Sequence, residues 1–119
     1  MKIDTFLNML KETPDTVEFD DMMAVIEQNY HFTETTFSNG TLVNKAGENS
    51  GSCKLFYFAQ MQGLDQKQTL ACFGAYYRDD VLQNPEDDNH QNIRNFMQTG
   101  WDGIKFEGDA LRIKLMDFS

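Results

Sequence analysis

Apolar residues recur along the chain with two periods, and the switches between them divide it into elements. Ile3, Phe6, Leu7 and Leu10 fall at helical spacing, with Asp4 near the start and Thr13-Pro14 at the end, which predicts a short amphipathic first helix. Phe19, Met22, Met23, Ile26 and Tyr30 mark one face of a second helix. Asp15 with Glu18 offers that helix a capping-box start, and Glu18, Asp20 and Asp21 give it an acidic first turn suited to the dipole. From 31 to 44 the residues become Phe, Thr and Val around Asn39-Gly40, the dipeptide of type I′ turns, so a small hairpin is expected. A polar loop containing Asn44, Gly47, Asn49 and Gly51 then leads into Lys54-Leu55-Phe56-Tyr57-Phe58-Ala59-Gln60-Met61-Gln62. Apolar residues occupy nearly every side of that run, the mark of a buried helix, with Ser52 as its cap, Cys53 in its first turn and Gly63 ending it.

Asp65 with Gln68 is a second capping box, opening a fourth helix whose face is Leu70, Phe73, Gly74 and Tyr77 and which runs on to Leu82, with Gly74 admitting a close neighbour. Residues 84 to 88 form an acidic loop containing Pro85. Asp88 with Gln91, or Asn89 alone, caps a fifth helix with Ile93, Phe96 and Met97 inward and Gly100 at its end. Trp101 reads as a core plug at a helix-to-strand corner, with a ligand platform as the alternative. Ile104 to Leu115 alternates apolar and charged residues around Gly108-Asp109, a terminal β-hairpin with one wet face. The expected fold is α+β, about five helices packed with a small antiparallel sheet that includes the C-terminal hairpin. No linker or repeat interrupts residues 1–119, which read as one domain.

Charge and composition narrow the function classes. A formal charge of −9 and a pI near 4.4 argue against nucleic-acid or anionic-membrane partners, which require basic surface. No run approaches the roughly 18 apolar residues of a membrane span, and the N-terminus lacks the layout of a cleaved signal, so the folded protein is expected to be made in a bacterial cytoplasm. Two cysteines are too few for a disulfide scaffold, and Cys53, Cys72, His31 and His90 lack zinc-site spacing; no cofactor is predicted.

Two constellations hold candidate chemistry. A thiol at a helix N-terminus beside a cation, as Cys53 would be beside Lys54, can have a lowered pKa. Gly51-Ser52-Cys53 ahead of an aromatic-rich helix is similar to the start of the nucleophile helix in papain-type proteases, although Lys54 replaces an aromatic residue and the upstream Cys-Gly is absent. A thiol enzyme would need His90 as base, oriented by Asp87, Asp88 or Asn92; the alternative is a buried structural cysteine. The second group is Asp79, Asp80, Glu86, Asp87, Asp88 and His90, flanked by Arg78 and Arg94. It offers the oxygens and imidazole of a divalent-cation site without the order of an EF-hand, or else forms a solvated acidic loop pinned by His90 and Arg94 pairing with Asp79 or Asp80. A ligand is expected to meet Asn49, Ser52, Cys53, Tyr77, Arg78, His90, Arg94 and Trp101.

Several separated strings occur in a fixed order: Phe37-x-Asn39-Gly40; Asn44-x-Ala46-Gly47-x-Asn49-x-Gly51-Ser52-Cys53-Lys54; Gln68-Thr69-Leu70-Ala71-Cys72-Phe73-Gly74; Tyr76-Tyr77-Arg78; and His90-Gln91-Asn92-Ile93-Arg94-Asn95-Phe96 with Gly100-Trp101. From about the second helix to the terminal hairpin, the chain resembles the HopJ type III effector family. The resemblance implies delivery into a host cell by type III secretion and relatives among Gammaproteobacteria, and it brings no catalytic residues. The first functional reading is therefore a small acidic effector-family protein that binds a protein partner without catalysis of its own. A cytosolic binding domain with a cation or small-ligand site at 79 to 90 is the alternative, and a thiol enzyme using Cys53 is the third.

Overall fold

The computed structural model describes residues 2–114 and shows an α+β domain in which one helix is wrapped by all the other layers. In chain order the elements are α1 (Ile3–Glu12), α2 (Phe19–Asn29), β1 (Tyr30–Phe32), β2 (Phe37–Asn39), β3 (Leu42–Asn44), α3 (Ser50–Gln62), α4 (Gln66–Ala71), α5 (Gln91–Thr99), β4 (Ile104–Phe106) and β5 (Leu111–Ile113). Short 3₁₀ turns at Pro14–Thr16 and Gly100–Gly103 and a π-helical stretch at Tyr76–Val81 complete the described elements.

α3 is buried on more than one side because its sequence offers no polar face wide enough to meet water: Cys53, Leu55, Phe56, Phe58 and Ala59 are all buried. Phe56 is the hub of the core, its ring 4.9 Å from Phe96, 5.5 Å from Phe73, 6.1 Å from Phe37 and 6.3 Å from Trp101. These rings join α3 to α5, to the turn after α4, to β2 and to the 100–103 turn. Each tilted or edge-on pair adds about 0.5–1.5 kcal/mol beyond its buried area. On the other side of α3, Phe58 meets Phe6 and Tyr30 edge-on and thereby ties in α1 and β1.

The first helix, the Gly63 stop with its left-handed backbone, the Asp65–Gln68 capping box and the Gly100 end of α5 match the sequence reading. Elsewhere the boundaries move, each for a physical reason. α2 starts one turn later than Asp15 suggests, because Glu18 and Asp21 make the reciprocal box, and Tyr30 has already passed into β1. α3 starts earlier, at Ser50 behind Asn49, which puts Ser52 inside the first turn instead of at the cap. His90, not Asp88 or Asn89, precedes α5. In the hairpin, Asn39 pairs with Leu42, so the loop is Gly40-Thr41 and only Gly40 carries positive φ, the sign pattern of a II′ turn rather than I′.

The fourth helix is not continuous. Gly74 takes φ +61, ending α4 in a turn before the π-helical stretch resumes. A Cβ on Gly74 would lie 2.8 Å from both Glu18 Cα and Phe19 N, so the expected close neighbour is the start of α2. The strands beyond α5 flank Gly108-Asp109 as read, but each takes its ladder elsewhere: β4 pairs antiparallel with β2 in a β3–β2–β4 sheet, and β5 pairs antiparallel with β1. Phe106 stacks on Phe37 across one ladder, while Leu111 and Tyr30 are buried in the other. Leu115, the last residue of the expected hairpin, lies outside the described residues.

Candidate functional site

An open cleft of about 670 Å³ lies where the starts of α3 and α5 meet the start of α2 and the turn after α4. Phe19, Phe73 and Tyr76 form its aromatic wall, with Phe19 stacked on Phe73 at 6.1 Å and edge-on to Tyr76 at 5.5 Å. Gly51, Ser52, Gln91 and Asn92, from the first turns of the two helices, line the polar side. The close approach of those walls depends on Gly51, where a Cβ would stand 2.8 Å from the Phe19 ring.

Both helices begin from a left-handed residue. Asn49 at φ 49 and His90 at φ 51 have positive φ without being glycine, alone in this among the described residues, and both line the cleft. Neither side chain caps its own helix, so the positive ends of α3 and α5 stay open on the cleft side. Each is held by another element instead. Asn49 Nδ2 donates to Asn44 Oδ1 at 2.7 Å, while His90 Nε2 sits 3.1 Å from Asp80 Oδ2 with its ring 5.4 Å from that of Tyr76. Asparagine tolerates this backbone well, and at both positions the tertiary contacts fix what local preference alone leaves open.

Behind the cleft a buried amide network sets the distance between its two helix starts. Asn92 Nδ2 donates to Asn44 Oδ1 at 2.9 Å, and Asn92 Oδ1 accepts from Asn44 Nδ2 at 3.1 Å and from Asn39 Nδ2 at 3.0 Å. Asn39 Nδ2 also reaches the Asn92 carbonyl at 2.8 Å. Asn44 thus holds the residues that open α3 and α5 at the same time. Asn39 Oδ1 is buried without a partner. In the sequence Asn39 and Asn44 read as turn and loop residues; the available signal was their place in the ordered strings, Asn39 beside Gly40 and Asn44 five residues ahead of Asn49.

The other candidates disperse. Cys53 is only 2% exposed and does not line the cleft. Burial pushes its thiol up to about 11, outweighing a backbone hydrogen bond from Thr35 and the charge of Lys54. The lowered pKa expected at a helix N-terminus is therefore absent: Cys53 sits one full turn in, its N–H already bonded to Asn49 O at 3.0 Å. Burial likewise raises Cys72 to about 12. Ser52, Asn49 and His90 come together at the cleft, whereas Tyr77 and Arg78 face a different pocket. Arg78 donates to Val17 O at 2.9 Å and pairs with Glu18. Arg94 does not pair with Asp79 or Asp80; it clamps the preceding loop through Asn89 O at 2.6 Å, Asn89 Oδ1 at 2.8 Å and Pro85 O at 3.3 Å. Trp101 fills the core corner and donates from Nε1 to Leu64 O at 2.9 Å. Of the acidic group, Asp80 alone reaches His90; Asp79, Asp87 and Asp88 are exposed, and no three His, Cys, Asp or Glu side chains converge among the described residues.

The family model of the HopJ type III effector protein matches residues 3–111, from the first turn of α1 to the start of β5. The chain belongs to the HopJ type III effector protein family. This HopJ chain is also similar to the crystal structure of VPA0580, a protein of unknown function: 54% identity over 96% of this chain and 95% of that one, with a TM-score of 0.94. No curated protein matches it. The match takes in α1, which lies ahead of the strings that first suggested HopJ. Among the described residues no helix is long and apolar enough to cross a membrane.

Proposed function

We propose that this HopJ protein acts by binding a protein partner, without catalysis of its own, and that the cleft between the starts of α3 and α5 receives the partner. The observation that carries the reading is the way the cleft is built. Two non-glycine residues are held in the left-handed region at its edge, and a buried asparagine network fixes the spacing of its walls. The left-handed backbone is cheap for Asn49 but costs His90 about 1 kcal/mol or more, and such a conformation persists where the surrounding structure overdetermines it, as at functional surfaces. The aromatic wall supplies apolar area for an anchor residue, while Asn49, Ser52 and His90 supply hydrogen-bonding groups around it. Both thiols are buried with raised pKa values, which weighs against a nucleophilic role for Cys53. Delivery into a host cell by type III secretion rests on the family description alone.

A photo-crosslinking residue placed at Tyr76, on the cleft wall, and at exposed Met61 as control tests the site in host-cell extract. One adduct of defined mass at position 76, absent at 61 and lost when Ser52→Arg fills the cleft, is the expected result. Equal crosslinking at both positions, or an adduct indifferent to Ser52→Arg, refutes it. A translocation reporter fused to the chain tests delivery separately, and no export from a secretion-competent strain removes that part.

A further inference from the structure

A second pocket, of about 300 Å³, opens between the end of α1 and the start of α4 and shares no residue with the cleft. Its charge runs against that of the molecule. The whole chain has ten lysines and arginines against nineteen acids, yet Lys11, Lys67 and Arg78 all border this pocket with one carboxylate, Asp15, beside them. Arg78 is already bound by Val17 O and Glu18. Lys11 and Lys67 are exposed, and neither ammonium group has an ion pair or hydrogen-bond partner among the described residues.

The rest of the lining is mostly apolar: Leu10 is buried, Ala71 and Tyr77 pack partly against the core, and Pro14 joins them, with the Gln68 side chain engaged in the capping box at Asp65. The Tyr77 hydroxyl has no hydrogen-bond partner among the described residues, which leaves it a donor at the same mouth. An apolar cavity of this size, with a few convergent polar groups at its rim, lies at the lower end of the range for small-molecule sites. A neutral apolar compound would leave the two cations unused, and a bare inorganic anion would leave the apolar lining wet.

We propose that this pocket binds a small organic carboxylate, its hydrocarbon body on Leu10, Ala71 and the Tyr77 ring and its carboxylate between Lys11 and Lys67. The site is independent of the partner cleft, and either can fail without the other. Lysine stems lying over apolar surface with their heads in water would produce the same static arrangement without a ligand, so a titration must separate the two.

The test is titration of the isotope-labelled full chain with sodium octanoate, followed by amide chemical shifts, with octanol as the uncharged probe of the same body. The expected result is saturable shifts confined to residues 10–15, 67–71 and 77–78, with Gly51, Ser52 and Gln91 unmoved. Octanol and the double variant Lys11→Gln/Lys67→Gln should each weaken binding about tenfold. Both lysines are exposed, so the double variant keeps the fold, and the octanol comparison stands on the unaltered protein in any case. No saturable shift up to about ten millimolar octanoate, equal affinity for octanol, or shifts at the cleft in place of the pocket would each overturn the proposal.

Discussion

Replacing Gly74 by alanine tests the joint between α4, α2 and the cleft, and Gly63→Ala supplies its own control. Both glycines have positive φ, Gly74 at 61° and Gly63 at 70°, so either alanine bears the left-handed cost of about 1 kcal/mol. At Gly63 nothing lies within 4 Å of the added methyl, and the cost ends there. At Gly74 the methyl meets Glu18 Cα and Phe19 N at 2.8 Å, both backbone atoms, and Glu18 Oε2 at 2.9 Å. Backbone cannot rotate away as a side-chain tip can, so α2 must shift, disturbing the Glu18–Asp21 box and the Phe19–Phe73 stack. Overpacking of this kind adds about 1–3 kcal/mol. Gly63→Ala should therefore lose about 1 kcal/mol and Gly74→Ala about 2–4 kcal/mol. Urea unfolding followed by circular dichroism reads both as shifts in midpoint at unchanged slope. A Gly74→Ala loss no larger than that of Gly63→Ala would show that the contact between the turn and α2 is loose, and the account of the interrupted fourth helix would fall.

Three further outcomes follow from the buried polar groups. Asn92→Ala removes the oxygen shared by the Nδ2 groups of Asn39 and Asn44 and the donor to Asn44 Oδ1, leaving Asn39 Nδ2 its bond to the residue-92 carbonyl. It should cost about 2–3 kcal/mol by urea unfolding, with a cost under about 1 kcal/mol arguing that water replaces the network readily. The thiols of Cys53 and Cys72 hold their protons to about 11 and about 12 when folded, against 9.0 ordinarily, so their contribution is intact below pH 9 and lost as pH rises toward 11. Each should remove about 1.4 kcal/mol per pH unit in that window, and the slope should shrink in Cys53→Ala/Cys72→Ala; identical slopes would contradict the assignment. Trp101→Phe keeps the ring contacts but leaves Leu64 O without its donor, for a loss of about 1–2 kcal/mol in thermal unfolding evaluated at the midpoint.

Much of the fold was legible because local chemistry and burial agree. The apolar surround of Lys54 to Gln62 identified α3, Asp65 with Gln68 opened α4 as written, and Gly63 and Gly100 closed their helices. The misplacements occur where a distant partner outweighs a local signal. Asp15 is as good a cap on paper as Glu18, but Glu18 also receives Arg78 and the Ala75 N–H, contacts from about sixty residues away. The same holds for the candidate site. Asn49, Ser52 and His90 were singled out individually, yet that they share a cleft follows from Asn44 bridging to both Asn49 and Asn92, which no spacing reveals. Arg94 and Trp101 drew notice as functional residue types and turned out to be a loop clamp and a core corner.

The exchange of ladder partners at 104–113 has a consequence for the order of events during synthesis. β1 and β2 are translated early, but the strands that complete their ladders arrive only after α3, α4 and α5 have all been made. Until then Tyr30 and Phe37 lack their cross-strand cover from Ile113 and Phe106, so β1 is unpaired and β2 is paired on its β3 side only. Contacts this far apart in sequence close slowly, since loop-closure entropy must be overcome before the pairing rewards it. The nascent chain therefore has the β2–β3 hairpin early, but the third strand of that sheet and the whole β1–β5 ladder come only at the end of synthesis.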